Sequence, residues 1–211
     1  MARDEKKRQK KLARKTAKRK AKQASARAVH SATDPARDAE TALSSPLHEC
    51  LVPGDLFNSG IGNILVSRRM PDGRVALSVF LLDVFCLGVK DVFSLVMTAS
   101  EYLQKMEEIR RGAAFTSVEP AFARKLIEGA EEYARDLGFS PQPKYHSAMK
   151  MFGEVDTADC LTQFEFGKDG KPLFISGPDD TQARCMRIIE TLTKRCGPGG
   201  FGYMIGVNSG I

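Results

Sequence analysis

The chain has 211 residues, five cysteines, no tryptophan and a formal net charge of +6. That length suffices for one domain with its own core. The five scattered cysteines include no C-x-x-C pair, which excludes zinc-finger and thioredoxin-like motifs and suits reduced thiols in a cytoplasmic setting.

The charge is split along the chain. Residues 1–30 carry thirteen basic residues against two acidic ones, a sum of +11. Residues 31–211 carry nineteen basic against twenty-four acidic, a sum of −5. Lys6, Lys7, Arg8, Lys10, Lys11, Arg14, Lys15, Lys18, Arg19, Lys20 and Lys22 form the dense part of the arm. Such a run points to a polyanion, RNA before DNA. Like charges at i, i+4 oppose helix in isolation, so the arm reads as disordered until phosphates neutralise it. It has no aromatic residue to stack a base, so it anchors rather than reads. Lys6–Lys11 and Lys18–Lys22 also have the look of a two-part nuclear import signal. The arm is Lys-rich with Leu12 as its one large aliphatic residue, unlike a mitochondrial leader, and no secretory apolar core is present.

Residues 31–48 read as a flexible linker with Pro35 and Pro46 as breakers, and 49–211 as the globular domain. Pro53-Gly54 and Asn58-Ser59-Gly60 are turn material. Ile61–Arg69 and Arg74–Leu82 flank Pro71-Asp72-Gly73 as a first hairpin. Val75–Met97 is almost continuously apolar, but Asp83, Lys90 and Asp91 leave no uncharged run near the ~18 residues of a membrane span. It therefore predicts a sheet covered on both faces, with Gly88 at a bend or bulge. Ser100 is the expected cap of a helix to Arg111 that buries Leu103, Met106 and Ile109. Ser117, Glu119 and Pro120 open a second helix, with Phe122, Leu126, Ala130, Tyr133 and Leu137 inward and Gly138 as its stop. A short helix follows over 144–152. Thr162–Phe166 and Pro172–Ser176 predict a second hairpin around Asp169-Gly170. Asp179 or Asp180 caps a last helix that buries Met186, Ile189 and Leu192, and the glycine-rich tail returns a short strand. The fold class is α+β: a single domain whose two β-hairpins form a mixed or antiparallel sheet packed by three to four helices, behind the disordered arm.

Few residues suggest catalysis. Asp83, Asp91, Glu165, Asp179 and Asp180 sit at expected strand ends and turns, where converging carboxylates would hold magnesium for a hydrolase or nuclease acting on nucleic acid. Their ordinary role there is capping and solvated turns. Lys90 is a charge in an apolar run: a desolvated amine, or an ion-pair partner of Asp83 or Asp91, or an edge lysine. Asp83, Lys90 and Asp91 are thus the catalytic candidates. Three histidines, His30, His48 and His146, build no triad. No metal-ligand spacing, cofactor motif or phosphate-cradling loop is legible.

The block Val66-Ser67-Arg68-Arg69-Met70-Pro71-Asp72-Gly73 and the run Phe80-Leu81-Leu82-Asp83-Val84-Phe85-Cys86-Leu87-Gly88-Val89-Lys90-Asp91 resemble a group of uncharacterised bacterial proteins. Glu165–Pro172 and Gly177-Pro178-Asp179-Asp180 look like the same group. The resemblance implies a bacterial source, which lowers the nuclear-import reading, and implies no activity. The sequence points to a cytoplasmic RNA-associated protein, with the ribosome as a candidate partner, held by its arm and not by a membrane, with Arg68 and Arg69 beside the first turn and the basic side of the last helix as further contacts. The alternatives are the metal-dependent hydrolase and a small protein-interaction module.

Overall fold

The computed structural model describes residues 35–206; the basic arm, with its expected coupling of folding to binding, lies outside them. The linker expected over 31–48 is partly regular. Helix α1 covers Pro35–Ser44 and strand β1 covers Leu47–Pro53. The compact body begins at Ala42, ahead of the expected boundary at 49. Pro35 suits a first helical turn, because its missing N–H would lack a partner there anyway.

The remaining elements are α2 (Leu56–Ser59), β2 (Ile61–Arg69), β3 (Val75–Asp83), β4 (Gly88–Met97), α3 (Ala99–Gly112), β5 (Phe115–Val118), α4 (Pro120–Asp136), α5 (Tyr145–Met149), β6 (Leu173–Ile175), α6 (Gln182–Cys196) and β7 (Gly202–Met204). Five strands form an antiparallel sheet in the order β4-β3-β2-β1-β5, and β6 pairs in parallel with β7. The fold is α+β. The β2–β3 hairpin forms where the sequence predicts it.

Alternation along the strands builds two cores. Ile64, Val66, Ala76, Phe80, Leu82 and Val92 face α4 and α5, with Leu126, Ile127, Ala130 and Phe152. Leu51, Leu65, Val75, Leu77 and Val79 face α3 through Tyr102 and Met106. Burying each of the Val, Leu, Ile, Phe and Met side chains among them contributes about 1.5–3 kcal/mol. A third cluster gathers Cys86, Leu137, Phe174, Cys185, Ile188 and Leu192 between the end of α4 and α6.

Several boundaries differ from expectation. Thr98, not Ser100, caps α3 in a reciprocal capping box with Glu101. Tyr102 takes the buried position on α3 and Leu103 is 64% exposed. Ser117 belongs to β5, paired with β1, and Glu119-Pro120 open α4. Thr181, not Asp179 or Asp180, caps α6, whose buried face is Cys185, Ile188 and Leu192 while Met186 points out.

The second hairpin does not form. Its turn is present, with Asp169 and Gly170 both at positive φ, but only Lys168 and Lys171 bridge across it. Phe164 and Phe166 instead pack with Phe122, Tyr133 and Phe57, and the missing side chain of Gly129 makes room for Phe166. Arg124 and Lys125 hold the preceding segment against α4 by donating to the carbonyls of Gly153, Val155 and Cys160. Aromatic burial outweighs pairing of two short segments, and β6 pairs with β7 instead.

Candidate functional site

The apolar block that drew attention in the sequence forms one junction. The β3–β4 register jumps from Leu81↔Asp91 to Leu82↔Val89, so Lys90 is the extra residue of a bulge on the edge strand. A bulge bends its strand and re-aims a side chain. Here it sends Lys90 inward: its side chain is 10% exposed and Nζ lies 3.7 Å from Asp180 Oδ2. Gly88 lies at φ 63°, and a Cβ there would come within 2.7 Å of the Ala130 carbonyl. Only glycine lets α4 approach so closely.

Asp83 is buried and its Oδ1 accepts from the backbone N–H groups of Phe85 and Cys86, each at 3.0 Å. It closes the Val84–Leu87 turn. Burial pushes its carboxyl up to about 6, while Lys90 and the backbone donors pull the other way. Asp91 is exposed and Oδ1 accepts from Val92 N at 2.8 Å. Lys90 therefore pairs with neither expected partner among the strand-end acids. Its partner lies on the loop before α6, a contact between distant segments that no local spacing announces.

Asp180 collects three groups. Arg184 Nε lies 3.0 Å from Oδ1, the Gly177 N–H donates to Oδ2 at 2.7 Å, and Lys90 stands beyond hydrogen-bond distance. Gln142 Nε2 donates to the Lys90 carbonyl at 2.9 Å and so covers part of the sheet edge. Leu87, Val89, Phe139 and Ile188 join Lys90, Ser140, Gln142 and Arg184 around a cleft of about 130 Å³. Glu165 and Asp179 are exposed. Among the described residues no three His, Cys, Asp or Glu side chains come together to hold a metal ion. Asp83 and Asp91 each accept from neighbouring backbone N–H groups, and Lys90 pairs with Asp180.

The candidate nucleic-acid contacts separate in the same way. Arg68 is buried; Nε donates to the Met151 carbonyl at 2.8 Å and Nη1 to the Ser45 carbonyl. It clips β2 to the turn that follows α5 and to the segment before β1, so it is a correction to the expected surface patch. The patch fails because β2 has both faces covered, which sequence alternation near a turn does not show. Arg69 is exposed, and Arg74 pairs with Asp72 at 2.7 Å. On α6, Arg184, Arg187, Lys194 and Arg195 are exposed, as expected.

Four cysteines are buried and Cys196 is half-buried, all unpaired. Burial pushes the Cys50 thiol up to about 12 and the Cys86 thiol higher still, so both behave as apolar fillers rather than nucleophiles. His146 lies on the surface edge-on to Tyr145. No helix among the described residues is long and apolar enough to cross a membrane. No family, curated protein or solved structure matches the chain.

Proposed function

We propose that the protein associates with RNA, in a ribosomal or other structured context, and that the Lys/Arg-rich N-terminal segment is its anchor. The observation that carries this reading is the separation of charge: +11 on residues 1–30 against −5 on the rest. A solubilising role needs no such separation, because charges of either sign spread over the body would serve it. Counterion release makes a cluster of cations a strong, sequence-independent phosphate binder. The body would then be the positioned cargo.

The test is RNA binding by the whole chain and by the chain lacking residues 1–28, titrated with salt. Removal of the arm is expected to abolish most affinity. For the whole chain the log–log salt slope reports about 0.7–0.9 per neutralised phosphate. Undiminished binding at high salt after the deletion would sink the reading. Co-sedimentation with ribosomes that collapses on RNase treatment would place the anchor on ribosomal RNA.

A further inference from the structure

The cleft beside the Lys90 bulge has a wall of one sign of charge. It lies between the start of β4, the segment that follows α4, and α6. Two of its lining residues are charged, Lys90 and Arg184, and both are cations. Asp180, the carboxylate they share, is not part of the wall, and neither is Asp83. Leu87, Val89, Phe139 and Ile188 give the cleft an apolar side.

Lys90 is incompletely satisfied there. Its side chain is 10% exposed, and Nζ stands 3.7 Å from Asp180 Oδ2, too far for a hydrogen bond. Every fully sealed side-chain nitrogen or oxygen among the described residues has a hydrogen-bond partner. Nζ has none, so it opens onto the cleft whose wall it forms. An ammonium carries three donors, and leaving them unmade away from bulk water is costly. Asp180 is held back from it, because the Gly177 N–H donates to Oδ2 at 2.7 Å and Arg184 Nε lies 3.0 Å from Oδ1. Arg184 is about half exposed and meets Asp180 through Nε, which leaves its two Nη groups for a further acceptor.

We infer that the cleft binds a small monocarboxylic acid, its carboxylate between Lys90 Nζ and the Arg184 guanidinium and its apolar body on Leu87, Val89, Phe139 and Ile188. Two cations against the one carboxylate that touches them leave a single positive charge in excess. That suits a carboxylate better than a doubly charged phosphate, and a guanidinium meets a carboxylate through paired N–H groups. Volume sets the body: a cavity of about 150 Å³ holds benzene, so the 130 Å³ here takes about five or six carbons. The site needs no RNA and stands apart from the reading of the arm.

The test follows backbone amide signals by NMR while sodium benzoate is added to the full chain. Benzamide serves as the neutral analogue and inorganic phosphate as the other anion. Benzoate is expected to bind at about millimolar strength and to move the Val89, Ser140 and Ile188 signals. Benzamide and phosphate are expected to bind roughly tenfold more weakly at those signals. Lys90→Met keeps the stem, removes the charge and is expected to weaken benzoate roughly tenfold. Ser140→Trp sets an indole in the cleft wall, keeps both cations and is expected to abolish the shifts. Spectra that keep their dispersion show that both variants are folded. Shifts confined to residues 1–30 assign the anion to the arm and overturn the inference. Equal binding of benzoate and benzamide, or full binding by Ser140→Trp, also overturns it. Phosphate that binds more tightly than benzoate overturns it in favour of a phosphate site. Cleft signals that benzoate does not move overturn it and leave the RNA reading standing.

Discussion

Lys90 Nζ lies 3.7 Å from Asp180 Oδ2 with both side chains nearly out of water, and the pair fastens the edge strand β4 to the loop ahead of α6. The two residues do not depend on each other equally. Asp180 also has Arg184 and the Gly177 N–H, whereas Lys90 Nζ has no ion-pair partner but Asp180 among the described residues. Asp180→Ala strands a buried ammonium and is expected to cost about 3 kcal/mol, while Lys90→Met is expected to cost about 1 kcal/mol. Urea unfolding of the two variants checks the asymmetry, and equal losses would contradict it.

Asp83 makes stability depend on pH. Its carboxyl is raised from the ordinary 3.8 to about 6, so the native state binds more protons than the unfolded chain between those values. Stability from this group is full below pH 4 and falls as pH rises through 6, by about 3 kcal/mol in all. Asp83→Asn keeps an oxygen for the Phe85 and Cys86 N–H groups and removes the titration. The variant is expected to lose this downward slope in denaturation curves taken from pH 4 to 7; an unaltered slope would assign it to other groups.

Arg68 and Arg69 are neighbours with opposite fates. Arg68→Ala deprives the Met151 and Ser45 carbonyls of their buried donor, with an expected loss of about 2–4 kcal/mol. Arg69→Ala, on the exposed side of β2, is expected to change stability by less than about 0.5 kcal/mol. Thermal melts of both variants decide this.

Gly88→Ala combines a left-handed backbone with a Cβ driven against the Ala130 carbonyl of α4. The Cβ would also come within 2.7 Å of the Ala134 Cβ, and Ala130 and Ala134 are both held in the helix. A loss of about 3 kcal/mol is expected in equilibrium unfolding. A cost below about 1 kcal/mol would show that α4 can shift.

Local chemistry made much of this fold legible. Pro71-Asp72-Gly73 between two apolar runs marked the β2–β3 hairpin, because turn preference and alternation act over a few residues. Glu119-Pro120 and Gly138 bracketed α4 for the same reason. The continuous apolar character of Val75–Met97 implied a sheet covered on both sides; that holds for β3 and the start of β4, whereas Phe93 and Ser94 further along β4 are exposed. Strand β1 was hidden because Leu47–Pro53 contains His48, Glu49 and Pro53, which weaken a strand signal. Its partners β2 and β5 supply the ladder that its own composition does not advertise. The second hairpin was misread because both its turn and its flanks looked right. The rings of Phe164 and Phe166 found more burial on α4 than strand pairing offered.

By itself the sequence determined the division into a cationic arm and an acidic body, the α+β class, the first hairpin and the principal helices. These depend on composition and on periodicities of two and 3.6 residues, which any stretch of chain carries within itself. Only the tertiary structure decided that Lys90 is a bulge residue paired with Asp180, that Arg68 is an internal clip, and that Asp83 caps a turn. Each of those side chains is charged, and a charge looks the same in a sequence whether it meets water, a ligand or a partner far along the chain. Burial tells them apart, and burial is settled by which distant segments the folded chain brings into contact.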